Sequence, residues 1–134
     1  MGMMLRSGID LVETSRIKEA VSRNGDRFLK RIFTPAEIEQ CGGRIPSLAG
    51  RYAVKEAVSK AFGTGIGDMQ WVEIEIIQDE RSAPHLVLHG DAAKIAQDQG
   101  LTGWSISISH TEDHAIGMAV ALDPVISDPS ALQM

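Results

Sequence analysis

Arg51-Tyr52-Ala53-Val54-Lys55-Glu56-Ala57-Val58-Ser59-Lys60-Ala61-Phe62-Gly63 is the stretch on which the fold turns. Val54, Ala57, Val58, Ala61 and Phe62 recur at the three- and four-residue spacing of a helix that buries one stripe. The helix is expected from about Ser47 to Phe62, with Gly63 supplying its C-terminal stop.

Downstream the period changes to two. Val72, Ile74 and Ile76 alternate with Glu73 and Glu75, which predicts a half-exposed strand. A polar turn, residues 79–83, leads to a partner strand, Pro84 to His89. Asp91 is expected to cap a helix that Gly100 ends. Trp104, Ile106 and Ile108 alternate with Ser105, Ser107 and Ser109, and a turn from His110 to His114 leads into a last strand, Ala115 to Leu122.

Upstream, Leu5 to Val12 reads as a strand. Leu5, Ser7, Ile9 and Leu11 share one face, and Arg6, Gly8, Asp10 and Val12 the other. Thr14 or Ser15 can cap a helix that Asn24-Gly25 ends, with Ile17, Ala20 and Val21 as its apolar stripe. A second short helix, about Asp26 to Ile32, buries Phe28, Leu29 and Ile32. Thr34-Pro35-Ala36-Glu37 is a strong helix start, with Thr34 as cap and Glu37 completing a capping box. Helices interspersed with hairpin-linked strands predict an α+β fold, a mostly antiparallel five-stranded sheet with helices packed on one face.

The chain has 134 residues, enough for one domain that buries roughly two-thirds of its unfolded surface. That domain is expected over residues 1–126, with 127–134 a frayed, disordered tail. A net charge of −5 argues weakly against nucleic acid as a partner. Cys41 is the lone cysteine, so no intramolecular disulfide forms, which suits a reducing compartment. No signal-peptide h-region or membrane-spanning run is visible, and a cytoplasmic protein with no membrane partner is expected.

Several residues are candidates for chemistry. Asp10 is an aspartate inside an apolar strand, two residues from Gly8, which leaves room for something to approach. The alternative is that Asp10 ends the strand and caps the next turn. Glu56 and Lys60 are four apart on the long helix, and Ala49, Ala53 and Gly63 leave space on their face. The alternative there is a surface ion pair. Arg51 and Lys55 form a second pair, suited to a polyphosphate or to a solvated face. Gly63-Thr64-Gly65-Ile66-Gly67 follows a helix instead of opening one, so it is no P-loop; it is either a flexible helix stop or a place where backbone N–H groups meet phosphate. His110 and Thr111 stand at a strand end, placed to contact an anion. His85 with His89, and His110 with His114, share a four-residue spacing that zinc could use.

In chain order, four blocks resemble the holo-acyl-carrier-protein synthase family of 4'-phosphopantetheinyl transferases. They are Gly8-Ile9-Asp10-Leu11-Val12-Glu13 with Arg16-Ile17; Arg31-Ile32-Phe33-Thr34 with Glu37; residues 51–57 with Lys60-Ala61 and residues 63–66; and Ser107-Ile108-Ser109-His110-Thr111-Glu112-Asp113. Together they span about Leu5 to Leu122. Pro84 follows Arg81-Ser82-Ala83, where family members often carry a basic-Pro pair.

The resemblance implies a β-α-β-β-α-β fold related to the ferredoxin-like one, with additions, and a homotrimer with interfacial active sites. It implies magnesium-dependent transfer of phosphopantetheine from coenzyme A, the co-substrate, to a serine of an acyl carrier protein, releasing 3',5'-ADP in service of fatty acid and other lipid biosynthesis. Asp10 and Glu56 would be the metal ligands, and with Lys60 the catalytic set. Arg51, Lys55, Lys60, Gly63, Thr64, Gly65, His110 and Thr111 would bind coenzyme A. Carrier proteins are acidic, so Arg16, Arg23 and Arg27 with Phe28 and Ile17 would form the docking face. Either Glu56 or a water at the metal would take the serine proton. Two other classes compete: a non-catalytic module of the same fold that binds coenzyme A or the carrier protein, and a zinc protein using the histidine pairs.

Overall fold

The computed structural model describes residues 4–123 of the chain; the expected tail, 127–134, lies outside them. Five strands and five α-helices are formed among these residues. In order they are β1 (Met4–Glu13), α1 (Thr14–Asn24), α2 (Asp26–Ile32), α3 (Pro35–Cys41), α4 (Ile45–Phe62), β2 (Ile74–Gln78), β3 (Pro84–Leu88), α5 (Gly90–Asp98), β4 (Gly103–His110) and β5 (His114–Asp123). Short 3-10 turns at Ile66–Asp68 and Trp71–Glu73 precede β2.

The class is the expected α+β, and every strand pairing is antiparallel, but the single five-stranded sheet is corrected to two sheets. One has the order β1-β5-β4, and the other is the β2-β3 hairpin. The hairpin lies beside β4 through β3. Strand β2 starts two residues later than its alternation suggests. The Glu73 carboxylate accepts hydrogen bonds from the Gln70 and Asp91 backbone N–H groups at 2.7 Å each. That grip curls Trp71–Glu73 into a turn and also caps α5. Asp91 is therefore a first-turn residue of α5 and not its cap, and His89 takes the N-cap position.

Helix α4 is the centre of the molecule. It packs on β1 and β5 above all other elements. Val54, Ala57, Val58 and Phe62 join a core with Ile74, Ile76, Ala96, Leu101 and Ala119. Leu48, Ala49 and Ala53 join a second core with Val12, Ile17, Ile32, Phe33 and Ala115. Burial thus surrounds most of the helix, wider than the one stripe expected.

Two strand glycines let α4 come this close. A Cβ on Gly8 would sit 1.8 Å from the Ala57 carbonyl oxygen, and one on Gly117 would sit 2.3 Å from the Val54 nitrogen. Both obstacles are backbone, so no side chain fits at either place. The consequence is an inverted strand. The Gly8-Asp10-Val12 face of β1 meets the helix, while Leu5, Ile9 and Leu11 stay 68%, 60% and 61% exposed on the other face. Ile9 pairs with Met118 and Leu11 with Ile116, so the outward apolar face runs across two strands.

Candidate active site

The register of β1 places Asp10 opposite Gly117, on the face that α4 covers. Gly8 contacts the helix at Ala57, one residue beyond Glu56, so the strand and helix bring two carboxylates 46 positions apart in sequence to one place. Lys60, one turn further along α4, donates to the Asp10 Oδ1 atom at 3.0 Å and to the Ile9 carbonyl oxygen at 3.0 Å. The Asp10 side chain is 19% exposed and that of Lys60 52%. Burial, and then the Asp10 charge, push the Glu56 carboxyl above the usual glutamate range, against the opposing charges of Lys60 and Arg16.

Asp10, Glu56 and Lys60 are therefore brought together as the sequence suggests. Lys60 pairs with Asp10 across the fold, and not with Glu56 along the helix. The strand also runs through Asp10 to Glu13, so Asp10 is not a strand-ending cap. Two carboxylates without a third acidic or imidazole group suit magnesium, which commonly takes one or two carboxylates and fills its octahedron with phosphate and water. The donor set fits that ion and does not make the closed cage of a structural zinc site. Among the described residues, no three His, Cys, Asp or Glu side chains gather as a metal group. His85 bonds Asp79 at 2.8 Å and His89 bonds Glu75 at 3.0 Å, each separately, so the zinc reading has no site here.

Arg51 and Lys55 are a correction. Both face inward, Arg51 2% and Lys55 0% exposed. The Lys55 ammonium donates to the Glu37 carboxylate at 2.8 Å and to the Trp71 and Ile74 carbonyls, which uses all three of its donors. Arg51 donates to the Ile76 carbonyl, the Cys41 sulfur and the Gln40 side chain. Lys55 has no donor left for a nucleotide, and Arg51, with three of its five N–H groups so engaged, is buried away from one. Glu37, read from sequence only as a capping box, also accepts from the Ile76 N–H and so clamps β2 to α3 and α4. Arg51, Lys55 and Ser59 form a buried polar row at four-residue spacing; Tyr52, Glu56 and Lys60 form the row at the surface.

Tyr52 is the residue the sequence reading passes over. Its ring stacks on Trp71 at 4.8 Å, and burial and the Glu56 charge push its phenol upward, against Arg16 and Arg31. The signal available in the sequence was its place four residues before Glu56.

The remaining candidates fall at two distant places. Gly63, Thr64 and Gly65 form the exposed turn after α4, with Gly63 at φ 79° and Gly65 at φ 71°. His110 and Thr111 lie at the far end of β4, where the Thr14 N–H and hydroxyl fasten the turn through the Asp113 and Glu112 carbonyls. Ile108, two residues before His110, touches Gly50 near the start of α4. From Gly50 to Gly63 the helix axis spans roughly 20 Å. One pyrophosphate cannot touch both ends within a single chain.

On the proposed docking face, Arg16, Arg23 and Arg27 are exposed and Phe28 is half-buried against Phe33. Ile17 is a correction: it is 3% exposed and belongs to the core, because α1 turns that stripe onto α4. Arg23 is bonded to Glu19 at 2.6 Å. A cleft lined by Asn24, Arg27, Phe28 and Arg31 opens on the same side.

The model of the 4'-phosphopantetheinyl transferase superfamily matches residues 6–119. The holo-[acyl-carrier-protein] synthase of Koribacter versatilis is 42% identical over 125 residues, covering 90% of this chain and 100% of that protein. The crystal structure of the Helicobacter pylori holo-[acyl-carrier-protein] synthase, in complex with coenzyme A, superposes with a TM-score of 0.79 at 35% identity, covering 86% of this chain and 98% of that one. The Bacillus anthracis enzyme, in complex with CoA (3',5'-ADP), gives 0.74 at 32% identity, covering 90% and 98%. With the matched segment containing the strand, helix and turn described above, the chain belongs to the holo-[acyl-carrier-protein] synthase family of the 4'-phosphopantetheinyl transferase superfamily.

Proposed function

We propose that this enzyme transfers 4'-phosphopantetheine from coenzyme A to a serine of an apo-acyl carrier protein, with magnesium and with release of 3',5'-ADP, and that it serves fatty acid biosynthesis in the cytoplasm. The observation that carries the reading is the convergence of Asp10, Glu56 and Lys60 at one crossing of strand and helix. The ligands named for the Helicobacter pylori and Bacillus anthracis relatives support coenzyme A as co-substrate. The carboxylates argue against a purely binding module, which would need no such pair. No helix among the described residues is long and apolar enough to cross a membrane.

Asp10 and Glu56 would hold the metal. Bound there, magnesium would polarise the pyrophosphate and offset charge growing on the leaving phosphate. Lys60 supplies a movable point charge for phosphate oxygens; in the exposed turn beside it the Gly63 and Gly65 N–H groups close the helix end on the Ser59 and Lys60 carbonyls, and the Thr64 N–H is the backbone donor proposed for phosphate. The carrier serine hydroxyl attacks the phosphorus bonded to the pantetheine oxygen, and the bond from that phosphorus to the bridging oxygen breaks, releasing 3',5'-ADP. The serine proton passes to Glu56 or to a water beside it. Arg16, Arg23, Arg27 and Phe28 form a basic face with an apolar spot, complementary to an acidic carrier protein.

The assembly we propose is a homotrimer with interfacial sites. Two features support self-association. The face carrying Leu5, Ile9, Leu11, Ile116 and Met118 is a contiguous exposed apolar patch of the kind that marks protein contacts. His110 and Thr111 also lie toward the other end of α4 from Gly63, too far to share one pyrophosphate within one chain, whereas a second copy can bring them together. Glu56→Gln tests the site. Turnover on apo-acyl carrier protein should be lost with the thermal melt unchanged, and near-normal turnover would refute the ligand assignment.

A further inference from the structure

Lys60 does more in this geometry than wait for a phosphate. Its ammonium rests between two oxygens, the Asp10 carboxylate and the Ile9 carbonyl, each at 3.0 Å. Those are the hard oxygen donors a divalent cation would seek on this strand. The two carboxylates repel each other, and the ammonium offsets that repulsion from within. The partners also differ in freedom. Asp10 is held on a strand that Gly8 and Gly117 press against α4, whereas Lys60 is 52% exposed on a four-carbon stem. It borders an open groove lined by Ser7, Gly8, Ile9 and Met118, into which it can swing. Of the pair, only the lysine can leave.

We propose that Lys60 is a built-in occupant of the cation position on Asp10. A divalent cation enters as the ammonium leaves, and a pyrophosphate that draws the ammonium away couples cation binding to coenzyme A binding. This rests on the reading of Asp10 and Glu56 as cation ligands. The coupling is reciprocal: whatever factor coenzyme A adds to cation affinity, the cation adds to coenzyme A affinity. The free enzyme is thereby kept from holding a metal without its substrate.

The test measures cation binding by the full chain, with Mn2+ followed by electron paramagnetic resonance and Mg2+ by calorimetry, without coenzyme A. Coulomb repulsion between a divalent cation and a unit charge about 5 Å away, screened as in water, corresponds to roughly tenfold in affinity. Lys60→Met should therefore bind Mn2+ about tenfold tighter than wild type, Lys60→Gln should move the same way, and Lys60→Arg should stay near wild type. In wild type, the resonance of isotope-labelled Lys60 Nζ should shift along the Mg2+ titration, at the midpoint of binding. Equal or weaker Mn2+ binding by both neutral variants, or a Nζ resonance that ignores Mg2+, overturns the inference. Asp10→Asn with Lys60→Met should lose the gain. If it keeps it, the ligand assignment of Asp10 has failed, and this inference falls with it.

Discussion

Lys55→Met separates a structural lysine from a substrate-binding one. The variant keeps the length of the stem and removes the ammonium. It leaves the Glu37 carboxylate, which is 0% exposed, without its counter-charge, and the Trp71 and Ile74 carbonyls without a donor. Burial, joined by the Arg51 charge, pulls the Lys55 pKa down, and the Glu37 charge and hydrogen bond oppose that pull, so each partner depends on the other. Breaking a buried pair from one side costs about 3–5 kcal/mol. For a domain of this size about 3–5 °C of melting temperature goes with each kcal/mol, so the loss is about 9–25 °C. The assay is urea unfolding at fixed protein concentration, paired with the KM for coenzyme A measured below the new melting temperature. Stability should fall with KM within about threefold of wild type, and Glu37→Gln should restore part of the loss in the double variant. A loss under about 1 kcal/mol together with a KM raised more than tenfold would refute the reasoning and return Lys55 to the nucleotide.

Gly8→Ala should force α4 off the strand, costing about 1–3 kcal/mol and about a hundredfold in turnover, since its Cβ would meet the Ala57 carbonyl; wild-type turnover would contradict the close-crossing account. Burial pushes the Glu75 carboxyl up, but hydrogen bonds from Thr34 and His89, with the His89 and Lys55 charges, outweigh it and hold it below the usual glutamate range. A depressed folded pKa stabilises above the unfolded value and is lost as pH falls through the folded one, so acidification from about pH 5 should destabilise wild type more than Glu75→Gln; parallel curves would remove Glu75 from the account. Charge reversal at Arg16 or Arg23 should weaken carrier-protein binding and flatten its salt dependence with coenzyme A affinity unchanged, and unaltered carrier affinity would move the docking face. Mixing inactive Glu56→Gln chains with inactive His110→Ala chains should restore activity if copies share the site; no recovery in verified mixed oligomers would place the whole site in one chain.

The parts of the fold that follow local rules were legible. Thr34 with Glu37 forms the capping box read from four residues, and Gly63 ends α4 in the left-handed conformation that glycine adopts without strain. Asp10, Glu56 and Lys60 were identified as a set through the family blocks, and the structure gives the cause of their meeting in Gly8 and Gly117. What was not legible depends on long-range geometry. Spacing along α4 puts Arg51 and Lys55 on one row but cannot say that Glu37, 18 positions from Lys55, lies under that row. The alternation of β1 gives two faces without saying that the glycine-bearing one goes inward, because close backbone approach overrides the burial of Leu5, Ile9 and Leu11. The late start of β2 follows from Glu73, whose bonds to Gln70 and Asp91 join residues that periodicity treats separately.

The most direct test of the whole account is the intact mass of an apo-acyl carrier protein after incubation with the enzyme, coenzyme A and magnesium, beside a chelator control and the Glu56→Gln variant. The account predicts a gain of one phosphopantetheine with the wild-type enzyme, abolished by the chelator and by the substitution. No gain across several carrier proteins, with the enzyme folded, would contradict it and leave a binding module; an equal gain under chelation would contradict the role given to Asp10 and Glu56.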